Sequence, residues 1–115
     1  MSSPNILLII MDSVRAANTS LHGHENKTTP FLEEFAKKAT VYDQARSPGT
    51  WSLPSHTSIF TGYHVVEHGI TRARHKLKPG HTIFETLGDE YGYATGVFSE
   101  NTWITDMPVG LKQAF

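Results

Sequence analysis

Two positions in this chain combine a reactive side chain with a place in the fold where chemistry is commonly done. Asp12 follows an unbroken apolar run, Asn5–Met11 (NILLIIM). A carboxylate at the end of a buried strand is costly unless it is paired or bound to a cation. Carboxylate oxygens suit hard divalent ions such as Ca²⁺ or Mg²⁺. Ser52 lies in the segment Thr50-Trp51-Ser52-Leu53-Pro54-Ser55-His56, just ahead of a helical pattern. A hydroxyl there lies near the positive end of the helix dipole, and the free N–H groups of a helix start suit a tetrahedral oxyanion. Each residue also has a plainer reading. Asp12 can cap the following turn or pair with Arg15, and Ser52 can be the N-cap of its helix.

Composition narrows the chemistry. The chain has 115 residues, 38% apolar and 18% charged, which reads as ordinary globular protein. It has no cysteine, so disulfides, thiolate metal sites and a cysteine nucleophile are excluded. Seven histidines form no HExxH-type spacing. The net charge of −1, with Arg72, Arg74, Lys76 and Lys78 confined to one segment, gives no reason to expect nucleic acid as a partner. Neither a GxGxxG turn nor a P-loop follows the first apolar run, which disfavours a nucleotide-binding domain. No basic segment precedes Ile6–Met11, and that run is too short to span a bilayer. The expectation is a soluble protein without a membrane segment, in the cytoplasm.

The elements that must position these residues follow from pattern. Continuous apolarity over Asn5–Met11 predicts a strand buried on both faces. Ser13–Lys27 is polar and reads as a loop or irregular helix. Thr29-Pro30 opens a helix, with Thr29 as N-cap, Pro30 at its first position and an apolar face of Phe31, Leu32, Phe35, Ala36 and Ala39. Thr40–Ala45 suits a short strand, and Ser47-Pro48-Gly49 a turn. Leu53–Thr61 is a short helix stopped by Gly62, with Pro54 tolerated in its first turn. His64–Lys78 reads as a loop. Thr82-Ile83-Phe84-Glu85 is a capping box for a helix running to about Tyr91, with Gly92 as its stop. Ala94–Ser99 reads as a strand, and Trp103–Phe115 as loop or helix start. Strands alternating with helices predict an α/β fold, a mostly parallel sheet flanked by helices. In such sheets ligand sites collect at the carboxyl ends of strands, where Asp12 lies.

Several segments together resemble the opening of a sulfatase, in the alkaline phosphatase superfamily. They are PNILLIIMD, TTPFLEEFAKKATVYDQA, TWSLPSHTSIFTGYHVVEHGI and TIFETLGDEYGYATGVF, in that order. The family pattern has a strand ending in a metal-binding Asp, then a "TTPNLD-LA" helix. A (Cys/Ser)-x-Pro-x-Arg signature leading into "LxTG" follows, and then a "GYxTxxxGK" strand. The resemblance implies an alkaline-phosphatase-like fold, with residues 1–115 as the N-terminal portion of a sulfatase-like catalytic domain. Asp12 matches the first metal-binding Asp, and Ser52 the signature residue that becomes formylglycine. Pro54 matches the signature proline, and Thr61-Gly62 the "TG".

The chain departs from the pattern at several of its chemical positions. Ser13 stands where the family has a second metal-binding Asp. His56 stands where it has the Arg that supports formylglycine formation. Glu100 and Thr102 stand where it has the Lys and His that hold the sulfate and protonate the leaving group. Asn101, between them, is a neutral substitute for hydrogen bonding to substrate. The implied function is metal-dependent hydrolysis of a small-molecule or glycan sulfate ester, with Ser52 as nucleophile, His56 as oxyanion donor or base, and a divalent metal on Asp12 and Ser13. That metal is expected to be Ca²⁺, with Mg²⁺ or Mn²⁺ as alternatives. The family's remaining metal ligands are expected beyond Phe115, in the C-terminal part of the same domain, so that the fragment alone would be inactive. The competing readings are phosphodiester or phosphonate monoester hydrolysis by an unmodified Ser52, and a truncated domain with no activity of its own.

Overall fold

A computed structural model describes residues 3–112 and 115. The chain divides into two compact units, one ending at Ala45 and the other beginning at Arg46. Among the described residues, no helix is long and apolar enough to cross a membrane.

In the first unit, the polar segment after Ser13 winds into two 3-10 turns, Ala16–Asn18 and Ser20–His22, ahead of α1 (Pro30–Ala36). Hydroxyls hold these pieces together. Ser20 N–H donates to Thr28 Oγ1 at 2.9 Å, Leu21 N–H donates to Thr29 Oγ1 at 3.1 Å, and Thr29 N–H donates to Ser20 Oγ at 2.9 Å. Thr29 therefore occupies the N-cap position of α1 but turns its hydroxyl to the preceding 3-10 turn, and makes no side-chain cap bond. Pro30 opens α1 as expected. The helix ends at Ala36, before the Ala39 that its apolar face was expected to include. Phe31 and Phe35 stack on each other on the exposed surface, with ring centroids 6.2 Å apart.

The second unit is built from α2 (Ser52–Thr61), α3 (Val65–His68), α4 (Ile83–Tyr91) and α5 (Thr102–Thr105). Its core is Leu53, Phe60, Ile70, Leu77, Ile104, Val109 and Leu111. Phe60 meets Phe84 edge-on at 5.0 Å, which docks α4 against α2. The sequence missed α3, which lies inside the expected loop His64–Lys78. Its signal is a carboxylate three residues into the segment: Glu67 Oε2 accepts the His64 N–H at 2.7 Å, and Gly69 closes the turn at φ +66°.

The expected parallel sheet is not confirmed by the structure. Among the described residues every regular element is helical, and Asn5–Met11, Thr40–Ala45 and Ala94–Ser99 are not strands. The physical reason is pairing. A strand exists only where a neighbour takes its N–H and C=O groups, and among the described residues no such ladder forms within either unit. Apolarity reports the surroundings that a segment suits, and Leu7 and Ile9, 82% and 73% exposed, show that those surroundings are lacking here.

The capping box of α4 is present in full. Thr82 Oγ1 accepts the Glu85 N–H at 3.3 Å. Glu85 Oε2 accepts the Thr82 N–H at 3.0 Å and its hydroxyl at 2.8 Å, while Oε1 accepts the Gly80 N–H at 2.7 Å. Burial pushes the Glu85 carboxyl up, but the hydrogen bonds from Gly80, Thr82 and His81 outweigh it and leave the group below its ordinary value. A depressed carboxylate stabilises the fold above the unfolded pKa of about 4.3 and loses that contribution as pH falls through the lower folded value. Glu85→Gln should therefore flatten the acid limb of stability against pH, read by urea unfolding at stepped pH. A second expectation concerns Gly110, which sits at φ +91° where an added Cβ would lie 2.4 Å from the Leu77 carbonyl oxygen. Leu77 N–H also donates to Val109 O at 2.9 Å, so this crossing cannot relax freely. Gly110→Ala should cost at least roughly 1–3 kcal/mol in urea unfolding, and more than Gly92→Ala, where the added carbon meets open space.

Candidate active site

Asp12 and Ser13 occupy the middle of a tight turn in which Val14 N–H donates to Met11 O at 3.3 Å. Ser13 has φ +62°, a left-handed conformation that a non-glycine residue adopts at some cost. The next 3-10 turn begins after Arg15, which is extended, so Asp12 is not its cap. Carboxylate and hydroxyl oxygens are the right type for a hard cation, but Ca²⁺ takes about six to eight oxygen ligands. Among the described residues no group of three His, Asp or Glu could hold a metal ion. Asp12 and Ser13 therefore fit two places of a larger set and do not form a site by themselves.

Ser52 is the first residue of α2, not its cap. Trp51 precedes it in extended conformation, φ −153° and ψ 171°, and is the N-cap. The simple capping reading of Ser52 is thereby removed. Pro54 falls in the first turn, where its missing N–H leaves no bond broken. The turn 47–50 folds tightly over this end of the helix. Ser47 Oγ lies 3.0 Å from Ser55 Oγ and donates to Gly49 O at 2.8 Å. A Cβ on Gly49 would lie 2.8 Å from Ser55 N, so only a glycine lets the backbone approach this closely.

His56 lies one turn after Ser52 and is buried. Its Nδ1 is 2.8 Å from the Ser52 carbonyl oxygen. A carbonyl can only accept, so Nδ1 carries a proton and Nε2 is the ring's other working position. His56 thus meets the Ser52 backbone through Nδ1, and any exchange of a proton with substrate would use Nε2. Its ring also packs edge-on against Phe60 at 5.8 Å.

Asn101 caps α5, its side-chain carbonyl accepting the Trp103 N–H at 3.1 Å. Trp103 in turn meets Trp51 edge-on at 5.1 Å. That contact brings the start of α5, with Asn101, to the start of α2, with Ser52. Ser52, His56 and Asn101 all belong to the second unit, and Asp12 and Ser13 to the first. Glu100 is exposed, Thr102 is the first residue of α5, and Arg72, Arg74, Lys76 and Lys78 lie exposed along the loop after α3.

The sequence was compared with known proteins. The model of the family described as Sulfatase matches residues 4–109. The chain belongs to the sulfatase family. Among curated sulfatases, it is 25% identical over 85 residues to N-acetylgalactosamine-6-sulfatase of Canis lupus familiaris, covering 74% of this chain and 16% of that protein. The same enzyme of Homo sapiens matches equally, 25% over 85 residues with the same coverage. Arylsulfatase H of Canis lupus familiaris is 22% identical over 111 residues, covering 86% of this chain and 20% of that protein. The chain thus spans about a sixth to a fifth of the length of the curated sulfatases it matches. No solved structure matches it. Membership of the family implies an alkaline-phosphatase-like fold.

Gly49→Ala in this sulfatase-family chain should push the turn 47–50 off the first turn of α2. The expected cost is roughly 1–3 kcal/mol in urea unfolding, with displaced amide resonances at Ser52 and Ser55. Unchanged resonances there would show that the turn does not bear on the start of α2.

Proposed function

We propose that this chain is the nucleophile-bearing part of a sulfatase-type ester hydrolase, with Ser52 at the nucleophile position. The observation that carries the reading is the family match across residues 4–109, with Ser52 opening the buried helix α2. The hydroxyl at that position, as formylglycine hydrate or as the bare serine, attacks the sulfur of a small-molecule or glycan sulfate ester, and the sulfur–oxygen ester bond breaks. The free N–H groups of the first turn of α2 favour the charge that develops on the sulfuryl oxygens. Asp12 and Ser13 would be two of the oxygen ligands of a divalent ion, Ca²⁺ by donor type, with Mg²⁺ or Mn²⁺ as alternatives. Such an ion lowers the pKa of a nucleophile and neutralises oxyanion charge. The other ligands would come from further parts of the same domain, and the chain alone would be inactive.

His56 acts in this reading through Nε2, as a donor to the oxyanion or as a base. Asn101 is the neutral hydrogen-bond donor to substrate, through its amide nitrogen, while its carbonyl caps α5. A second reading, phosphodiester or phosphonate monoester hydrolysis by unmodified Ser52, is favoured by His56. That residue stands at the signature position which the resemblance gives to Arg, and it is tied to the Ser52 carbonyl.

Mass spectrometry of the peptide containing Ser52, from protein made beside a formylglycine-generating enzyme, separates the two readings. Loss of two hydrogens supports the sulfatase mechanism, and an intact serine supports the other. In the complete domain Ser52→Ala should lower turnover of an aryl sulfate by about 10³-fold or more. Full turnover in that variant would remove Ser52 from the mechanism.

A further inference from the structure

His68 has no part in the reaction just described, yet both of its ring nitrogens are engaged. Nδ1 accepts the N–H of Ile70 at 2.9 Å. An atom that accepts an amide proton carries none itself, so the neutral ring holds its proton on Nε2. Nε2 lies 3.0 Å from Ser58 Oγ, on the middle of α2, and donates to it. Ser58 and Ile70 are both buried. The ring thus joins α2 to the turn after α3, where Gly69 bends the chain at φ +66°.

A second proton on this ring can go only to Nδ1. It would then point at the Ile70 N–H, donor against donor, and leave a buried amide without an acceptor. The Nε2 side would not change, because the Ser58 hydroxyl still accepts. We infer that His68 is an acid-sensitive clasp, closed when neutral, that holds the turn Gly69–Ile70 against α2 and releases it on protonation.

The surroundings agree. Burial drives the ring toward the neutral form, against the Pro54 carbonyl and the Glu67 carboxylate, and the net effect holds its pKa below the ordinary value. Glu67 is the charged group facing it from α3, and its Oε2 is already engaged by the His64 N–H. From α2 the ring meets the Pro54 carbonyl and the Ser58 hydroxyl, neither of which titrates. For a histidine with a lowered folded pKa, the unfolded chain binds the proton first as pH falls. The clasp's contribution is therefore whole above the unfolded value of about 6.5, and is lost as pH drops from there through the folded value.

Two half-buried histidines whose Nδ1 atoms accept exposed amides provide internal controls. His24 Nδ1 accepts the Asn26 N–H at 3.1 Å, and His75 Nδ1 accepts the Thr71 N–H at 3.1 Å. Those amides are exposed, so losing the acceptor exposes them only to water that already reaches them.

The inference does not depend on which ester the family chemistry acts on, and its test involves no turnover. The full chain is labelled with ¹⁵N and followed by NMR between about pH 8 and about pH 5, either side of the ordinary imidazole value. Long-range imidazole spectra should show the Nε2–H tautomer for His68 at high pH. The Ile70 amide protection factor should fall about tenfold or more as His68 titrates, while Asn26 and Thr71 change little. In His68→Asn, whose side-chain oxygen can replace Nδ1 but cannot titrate, Ile70 should stay protected at both pH values. A His68 proton on Nδ1 at high pH, or an Ile70 amide whose protection is the same before and after His68 titrates, would overturn the clasp. A His68→Asn chain that still loses Ile70 protection in acid would overturn it as well.

Discussion

The second unit depends on one constraint: a helix as polar as α2 can be buried only if its side chains find partners, most of them on its own backbone and, for Ser58, on His68. Of the residues 52–61, His56, Thr57 and Ser58 are buried together with Leu53 and Phe60. Thr57 Oγ1 donates to Leu53 O at 2.8 Å, Thr61 Oγ1 to Thr57 O at 2.7 Å, and His56 Nδ1 to Ser52 O at 2.8 Å. These bonds run one turn back along the helix, so each donor finds its acceptor without help from another element. Left unpaired, each such group would cost about 1–3 kcal/mol, enough together to outweigh the apolar contacts of Leu53 and Phe60. With them paired, the core can close on α2, and the start of the helix, with Ser52, is held by the interior.

That arrangement explains which parts of the fold were legible in the sequence. Where structure is set by a few neighbouring residues, pattern was sufficient. The Thr82–Glu85 box opens α4, Gly62 and Gly92 stop their helices with positive φ, and Pro30 begins α1. Where structure depends on a partner remote in the chain, pattern misled. Asn5–Met11 has the composition of a doubly covered strand, but composition cannot supply the neighbouring strand, and none pairs with it among the described residues. Thr29 has the sequence of a cap, yet the Leu21 amide claimed its hydroxyl. Helix α3 was missed because four residues make too short a window for periodicity, although Glu67 and Gly69 mark its two ends.

The candidate site was legible in the same uneven way. Ser52 and His56 are four residues apart, a spacing that places them one turn apart on any helix. The structure adds that the link between them runs from the imidazole to a backbone carbonyl. Asn101 was singled out only by where it falls in a family pattern. Its nearness to the start of α2 depends on the Trp51–Trp103 contact across 52 residues, which no local pattern encodes. Asp12 and Ser13 are a different case. Their positions follow from the end of the apolar run, but the left-handed Ser13 does not follow from its residue type, because serine has no preference for that conformation.

His56 and His68 show how one residue type takes opposite roles through the partner of a single nitrogen. Nδ1 of His56 faces a carbonyl, so the proton is fixed on Nδ1, and an added charge leaves that bond in place, since a protonated ring still donates there. Nδ1 of His68 faces an amide, so the proton is excluded from Nδ1, and an added charge destroys the bond. The first arrangement keeps His56 attached to the start of α2 whatever its protonation state. The second makes the far side of the same helix responsive to acid. The two rings lie twelve residues apart in sequence, on α2 and α3, and what separates their behaviour is whether the backbone presents an oxygen or a hydrogen. A helix held this way keeps its Ser52 end anchored while its contact with α3 can open.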